Sequence, residues 1–291
     1  MSKLTKYEFL FSTMKGIFHY DKGNIKLVYN RQSPKTVCFF PITWDNDFYY
    51  FGEMRNPNEE SFIQVVNKKN YETVRTIELD GLCDIHQMVC YDNKLYICNT
   101  GKNCLLIYCL NQNKIIHSIH RGTIRKDINH INGVYIYNNH IYTTHLNSSQ
   151  GYKSDVFVYD INTYKHVNTI NIGQGIHNLY IDKDRIYTCS SYSKEFLCMN
   201  VNHSIQSTKF LKQKWFWLRG LATDGEYMIV GGSQIMPNEF RHSINRNMIY
   251  LFDKNTNLVE EFVFNESNCG PIYDIRLLKN DKAHLWKKYQ K

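Results

Sequence analysis

Short apolar stretches separated by tight polar turns recur along this chain. Residues 86–96 read HQMVCYDNKLY, residues 132–142 read NGVYIYNNHIY and residues 177–187 read HNLYIDKDRIY. Residues 219–229, RGLATDGEYMI, and residues 39–49, FFPITWDNDFY, are further copies. In each copy two stretches rich in β-branched and aromatic residues flank an Asn, Asp or Gly turn. This pattern predicts a β-hairpin.

Two more strands are predicted after the hairpins. Residues 94–99, for example, are followed by CLLIYCL at 104–110 and KIIHSI at 114–119. The unit is therefore four antiparallel strands, A to D, and its copies begin 47, 46, 45 and 42 residues apart. Four-stranded units at this period are typical of the blades of a β-propeller.

The two ends of the sequence supply the parts of one more unit. Residues 8–30 have the pattern of strands B, C and D without an A strand, and residues 272–278 have the pattern of an A strand alone. Pairing these segments closes a ring and leaves no open strand edge. We therefore predict an all-β fold, a six-bladed β-propeller in which residues 1–291 form a single domain.

Composition agrees with this fold and limits the classes of function. The 22 Tyr and 16 Phe favour strands, because aromatic side chains pack well on a pleated surface. The formal charge of +8 is spread along the chain instead of forming a basic stripe, so we expect no nucleic-acid partner.

The sequence also suggests where the protein is located. The nine cysteines lie mostly within apolar runs and form no CxxC pair, which predicts reduced thiols and a cytoplasmic protein. We find no signal peptide and no apolar stretch long enough to span a bilayer, so no membrane association is expected.

Because the geometry of a propeller is known, the repeat predicts where a functional site would lie. The A strands line the central channel, and the D-to-A and B-to-C connections lie on one face, so residues that begin A strands and residues that end B strands surround one mouth of the channel. The residues at or just before the A-strand starts are His86, His130, Asn132, His177, Arg219 and Tyr273. The B-strand ends carry Glu53, Asn99 and His145, and the long loop 232–246 adds Arg241 and His242.

Three interpretations of this mouth stay open. In the first, His86, His130 and His177 are ligands of a divalent metal ion, since neutral imidazole is the commonest protein ligand of such metals. In the second, a histidine is a general acid or base while Arg219 holds an anionic group. In the third, these side chains only line a polar channel. No HExxH, GxSxG or P-loop motif is present to decide between them.

The blade motifs resemble those of an uncharacterised family of bacterial six-bladed β-propeller proteins. The matching segments are DIHQMVCYDNKLYICNTGKNCL, the HxNG motif of HINGVYIYNNHIY, GIHNLYIDKDRIYTCSS, the RGL motif of WLRGLATDGEYMIVGGSQ, and IYDIRLL, which together cover roughly residues 84–278. The resemblance implies the propeller fold and a shared pocket. It implies no particular reaction.

The sequence thus predicts an enzyme of hydrolase or lyase type, with metal assistance as an open alternative, that acts on a small polar or anionic molecule. His86, His130, His177, Arg219 and Tyr273 are the predicted catalytic residues. The residues predicted to bind substrate are Glu53, Asn99, Asn132, His145, Arg241 and His242. The alternative function is a non-catalytic propeller that binds a ligand or a protein partner.

Overall fold

The computed structural model contains the six predicted blades. It describes residues 2–30, 36–55, 60–121, 129–147, 153–200, 205–210, 216–234, 246–264 and 270–283. The strands in these ranges form six antiparallel four-stranded sheets, which confirms the predicted all-β fold. Arg241 and His242 lie outside the described residues.

Each sheet is one blade, and its strands are numbered in chain order. Blade 1 consists of β4 (Thr36–Trp44), β5 (Phe48–Arg55), β6 (Phe62–Asn67) and β7 (Thr73–Glu78). Blade 2 consists of β8 (Ile85–Tyr91), β9 (Lys94–Asn99), β10 (Cys104–Cys109) and β11 (Lys114–His120). Blade 3 consists of β12 (Ile131–Tyr137), β13 (His140–His145), β14 (Asp155–Asp160) and β15 (His166–Asn171).

The remaining blades follow the same order. Blade 4 consists of β16 (Ile176–Asp182), β17 (Arg185–Ser190), β18 (Glu195–Asn200) and β19 (Ile205–Phe210). Blade 5 consists of β20 (Phe216–Thr223), β21 (Tyr227–Gln234), β22 (Asn247–Asp253) and β23 (Leu258–Phe264). Blade 6 consists of β24 (Asp274–Leu277), β1 (Glu8–Ser12), β2 (Gly16–Asp21) and β3 (Asn24–Asn30). Two single-turn 3₁₀ helices span Leu4–Lys6 and Thr100–Lys102.

Burial decreases from the channel axis to the rim of each blade. The A strand β12 is buried at six of its seven positions, whereas the D strands β7 and β11 are mostly exposed. The A strands of neighbouring blades contact one another around the channel, from β4 through β8, β12, β16, β20 and β24 back to β4. Apolar clusters fill the spaces between blades, so each blade covers the faces of its neighbours.

The predicted ring closure is confirmed. β24 pairs antiparallel with β1, and the register aligns Phe9 with Leu277 and Ser12 with Asp274. On the other side of the closing blade, Tyr29 packs against Phe39 and Phe51 of blade 1, with ring centroids 5.7 and 5.2 Å apart. The N-terminal and C-terminal segments therefore share one sheet.

A short segment after β24 crosses the end of the channel where the A strands finish, which we call the lower end. Lys282 donates its backbone N–H to Thr223 of blade 5 at 2.6 Å, and its carbonyl accepts the Tyr135 hydroxyl of blade 3 at 3.0 Å. Ala283 is buried in the apolar cluster between these blades. The opposite end, where A strands begin, is called the upper mouth. Among the described residues no helix has the length and apolar character needed to cross a membrane.

Candidate functional site at the upper mouth

The A strands of blades 2 to 5 bulge at equivalent positions just below the upper mouth. Their register with the neighbouring B strand shifts between Ile85 and Met88, between Ile131 and Gly133, between His177 and Leu179, and between Arg219 and Leu221. A bulge turns side chains away from the regular alternation of a strand. His86, Asn132, His177 and Arg219 all lie at these bulges, which is why the repeat alignment finds them.

His177 has the most distinctive environment of the predicted site residues. The residue is only 6% exposed, and its Nδ1 lies 2.9 Å from the carbonyl oxygen of Gly175 and 2.9 Å from Oγ of Ser191. The other ring nitrogen, Nε2, is buried, and no described group lies within hydrogen-bonding distance of it. A buried polar atom without a partner is rare and costly, so Nε2 needs an explanation.

The electrostatic surroundings keep this imidazole neutral. Burial lowers the pKa of His177 well below its usual range, and the charge of Arg219 and the neighbouring His86 and His130 lower it further. These four side chains therefore lie close enough at the upper mouth to influence one another.

His86 repeats part of this arrangement in blade 2. Its Nδ1 lies 3.2 Å from the carbonyl oxygen of Asp84 and 3.3 Å from the Asp84 carboxylate. The ring packs edge-to-face on His130, with centroids 4.7 Å apart. The backbone of His130 is in the left-handed region, with φ of 50°, and its carbonyl accepts the N–H of Leu146.

Arg219 is flanked by aromatic rings. Its guanidinium carbon lies 5.6 Å from the centroid of Trp217 and 5.5 Å from that of Tyr273, within the range of cation–π attraction. The Cys38 thiol, which hydrogen bonds to Tyr273, belongs to the same cluster. Burial raises the pKa of this thiol well above its usual range, so it stays protonated.

Two hydrogen bonds from blade 4 fix the backbone on both sides of Arg219. The Ser191 hydroxyl donates to the carbonyl of Leu218 at 2.7 Å, and the Asn178 carboxamide oxygen accepts the N–H of Gly220 at 2.8 Å. Gly220 has φ of +76°, and a Cβ there would lie 2.9 Å from the nitrogen of Ile275, so glycine is required. The positions of His177 and Arg219 are thereby linked.

A buried polar network lies directly beneath these residues. Asn178 also donates to the Asp274 carboxylate at 3.3 Å. Asp274 accepts the N–H of Ile42 at 3.1 Å and forms an ion pair with Arg276 at 3.2 Å. The residues that follow His177, Arg219 and Tyr273 in the sequence are thus Asn178, Gly220 and Asp274, which contact one another.

Asn99 and Asn132, both predicted to bind substrate, have partners within the fold. The Asn99 carboxamide accepts the N–H of Cys83 at 2.8 Å and donates to the carbonyl of Gly81 at 3.1 Å. Asn132 donates to the carbonyl of Ile176 at 2.9 Å, which joins blade 3 to blade 4. Their side chains stabilise loops and blade contacts at the mouth.

Glu53 and His145 are completely or almost completely buried. The Glu53 carboxylate accepts a hydrogen bond from the Gln64 side chain at 3.0 Å. His145 contacts the Thr143 hydroxyl at 2.9 Å and the Phe157 ring, and burial together with the charge of Arg121 lowers its pKa to about 3. These two side chains therefore lie within blades 1 and 3.

Sequence reasoning missed the groups that support the site. Asp274 and Arg276 are buried charged residues, Asp281 is a partly buried one, and Ser191 and Asn178 have roles that depend on contacts between blades. The sequence contains one indication that Asp274 and Arg276 belong to the site. Asp274 and Arg276 are two residues apart in an otherwise apolar strand, so both side chains face the channel.

The described residues contain no group of three or more His, Cys, Asp or Glu side chains placed to hold a metal ion. The metal site at His86, His130 and His177 therefore stays a prediction from the sequence.

Comparison with known proteins identifies the fold. No protein-family model matches the chain, and no curated protein matches it in sequence. A solved chain from a nidogen/laminin complex is 10% identical, with 94% of this chain and 98% of that chain covered and a TM-score of 0.68. A protein of unknown function from Bacteroides caccae is 10% identical, with coverage of 94% and 99% and a TM-score of 0.69.

A third solved structure, the hydrazine synthase of Kuenenia stuttgartiensis, is 11% identical and has a TM-score of 0.57. The match covers 83% of this chain and 69% of that chain. At these identities the similarity concerns architecture alone. Together with the six closed sheets, it establishes that this chain is a six-bladed β-propeller.

Proposed function

We propose that the upper mouth binds a small anionic molecule between Arg219 and His177, and that the protein is a hydrolase or lyase in which His177 is the general base. The observation that carries this proposal is the unpartnered Nε2 of the buried His177 imidazole beside a guanidinium. A ligand in the mouth would supply the missing hydrogen bond, and Arg219 would pair with its negative charge.

The proposed chemistry follows from the electrostatics of the mouth. Without a ligand, the positive charge of Arg219 and the low polarity around His177 disfavour protonation of the imidazole. An anion bound to Arg219 would offset that charge and raise the pKa of His177 towards neutrality. His177 then becomes an effective base only when the substrate is present. Tyr273, His86 and His130 are proposed as the neighbouring groups that donate hydrogen bonds or shuttle the proton.

The family resemblance of the HxNG and RGL motifs supports the same location, because His130, Asn132 and Arg219 come from those motifs. A divalent metal ion at His86, His130 and His177 is a further proposal, and metal analysis of the purified protein tests it. Protein binding is the second candidate function. It is favoured by the similarity to a chain whose structure was solved in a nidogen/laminin complex.

A thermal-shift screen with small carboxylates, phosphates and sulfate tests the proposal. We expect at least one anion to raise the melting temperature, because a ligand that binds only the folded state stabilises it. The shift should disappear in Arg219→Met and His177→Gln. Any stabilising anion is then followed by NMR for turnover, which both variants should abolish.

The chain offers matched controls for both variants. His140 is a half-buried histidine whose Nδ1 also contacts a carbonyl two residues earlier, at 2.7 Å from Asn138, and Arg185 begins β17 at the lower face. His140→Gln and Arg185→Met should keep the full shift. If no anion stabilises the wild-type protein, or if the shift survives in Arg219→Met and His177→Gln, the proposal is wrong.

A further inference from the structure

The two groups that contact Nδ1 of His177, the Ser191 hydroxyl and the Gly175 carbonyl, indicate which ring nitrogen carries the proton. The Ser191 hydroxyl has one hydrogen, and Oγ lies 2.7 Å from the Leu218 carbonyl oxygen, which can only accept. The hydrogen therefore points to Leu218, and an Oγ lone pair faces Nδ1 of His177 at 2.9 Å. The Gly175 carbonyl, also 2.9 Å from Nδ1, is a second acceptor. Two acceptors at Nδ1 place the proton there.

A proton on Nδ1 also determines the hydrogen-bonding role of Nε2, on the other side of the His177 ring. A neutral imidazole with its proton on Nδ1 has a lone pair on Nε2, so Nε2 is an acceptor. This is the atom that is buried without a described partner. A buried hydrogen-bond acceptor thus lies near a fixed positive charge, that of Arg219 in the next blade. An anion with acceptor atoms only, such as a simple carboxylate or sulfate, could pair with Arg219 but would offer no hydrogen to Nε2 of His177.

We propose that Ser191 is a positioning residue that holds His177 as its Nδ1–H tautomer, and that the ligand of the upper mouth is consequently a small hydroxy acid, with its carboxylate on Arg219 and its hydroxyl donating to Nε2 of His177. This inference rests on the proposed function, since it defines the ligand class of the same site. It assigns Ser191 two tasks, because the same hydroxyl also fixes the backbone immediately before Arg219.

The tautomer is measured by ¹⁵N NMR of histidine-labelled protein at neutral pH, with the His177 signals identified by their absence in His177→Gln. We expect a protonated Nδ1 and an unprotonated Nε2. Ser191→Ala should shift the two nitrogen signals towards each other, because only the Gly175 carbonyl then fixes the ring. Ser190→Ala is the matched control, since Oγ of Ser190 donates to the Gln174 carbonyl at 2.8 Å and its described hydrogen bonds do not include His177. A protonated Nε2 in the wild-type protein would overturn the inference.

The ligand class is measured by calorimetry with three probes of similar size, namely lactate, 2-methoxypropionate and propionate, and with malate against succinate. We expect the hydroxy acid to bind about tenfold more tightly than its methoxy or deoxy analogue, the effect of one buried hydrogen bond. In Ser191→Ala this preference should fall to about threefold, and in Ser190→Ala it should not change.

The outcomes separate this inference from the proposed function. Equal affinity for hydroxy acids and their analogues, with binding that still requires Arg219, refutes the hydroxy-acid inference and leaves anion binding intact. Absence of binding by both hydroxy acids refutes the inference as well. Loss of all anion binding in the wider thermal-shift screen refutes the proposed function itself.

Discussion

The two ends of the propeller channel contain similar kinds of residue but differ in how completely these are paired. At the lower end, Asp281 accepts the N–H groups of Leu277, Thr223 and Ala283 at 2.8, 3.3 and 3.0 Å, and Arg276 lies between Asp281 and Asp274. At the upper mouth, the Nε2 atom of the buried His177 has no described partner.

A cavity of about 600 Å³ on the lower face is also lined by charged and polar side chains that have partners. Its lining includes Glu8, whose carboxylate pairs with His19 and Lys279, each at 3.1 Å, and Tyr7, which donates to Asp224 at 3.0 Å. The comparison teaches that buried charge alone does not indicate a site in this fold. The feature that distinguishes the upper mouth is the combination of a buried ring nitrogen without a described partner and a neighbouring cation, because a buried atom such as Nδ1 of His145 also lacks a hydrogen bond.

The largest expected effect comes from breaking the lower network. Arg276→Met leaves the buried Asp274 and the partly buried Asp281 without their cation, and we expect it to lower the free energy of unfolding by about 3–5 kcal/mol. Urea denaturation measures this loss. Adding Asp274→Asn and Asp281→Asn to Arg276→Met should recover part of it, since the uncompensated charges are then gone. A loss below about 1 kcal/mol would mean that the lower network contributes no more to the free energy of unfolding than a surface ion pair does.

A smaller effect is expected from pH. Burial raises the pKa of Asp281 to about 7 and that of Asp274 to about 6, so the folded protein binds these protons more tightly than the unfolded chain does. The stability due to Asp281 is complete below about pH 4 and is lost as the pH rises through 7, by up to about 1.4 kcal/mol per pH unit. Buried His145 acts in the opposite direction, because its pKa of about 3 costs stability as the pH falls below its ordinary value.

Asp281→Asn isolates the contribution of the carboxylate. The advantage of the wild-type protein over this variant should decrease between pH 5 and pH 8 in denaturation curves recorded at each pH. Parallel pH profiles for the two proteins would contradict the raised pKa of Asp281.

The smallest effect on stability, with a selective effect on binding, is expected for Asn178→Gly. Glycine keeps the left-handed backbone, which has φ of 57°, but removes the acceptor of the Gly220 N–H and the donor to Asp274. We expect a loss of about 1–3 kcal/mol in unfolding free energy, together with weaker anion binding, because Arg219 is no longer fixed.

Thr43→Val is the control for Asn178→Gly. Oγ1 of Thr43 accepts the N–H of Cys90 at 2.8 Å across another blade boundary, far from Arg219 in the sequence and on the side of the lower end. It should lose similar stability and keep full anion binding in calorimetry. If both variants bind equally well, Asn178 has no positioning role.

The fold was predictable from the sequence because each blade repeats the same local signals. The hairpin at residues 177–187 needs only its own turn and apolar alternation to be recognised. Ring closure was predictable because the end segments complement each other, and the pairing of β24 with β1 confirms it.

The site was predictable only in part. His86, His177 and Arg219 lie at equivalent bulges, so the repeat alignment groups them. The partners of their side chains come from other blades and were not predictable. The Ser191 hydroxyl that contacts His177 is oriented by the Leu218 carbonyl, 27 residues further along the chain, and no local pattern encodes such a contact.

The pairing of β24 with β1 has a consequence for the order in which the parts of the upper mouth assemble during synthesis. A chain that leaves the ribosome from its N-terminus can complete blades 1 to 5 before β24 emerges, yet Tyr273, Asp274 and Arg276 are all supplied by the segment around β24. Until β24 pairs with β1, Tyr273 does not lie beside Arg219. The Asp274 carboxylate is also not in place to accept the hydrogen bond from Asn178. The proposed site at the upper mouth is therefore complete only after β24 has paired with β1, and we expect no anion binding by a chain in which this pairing is missing.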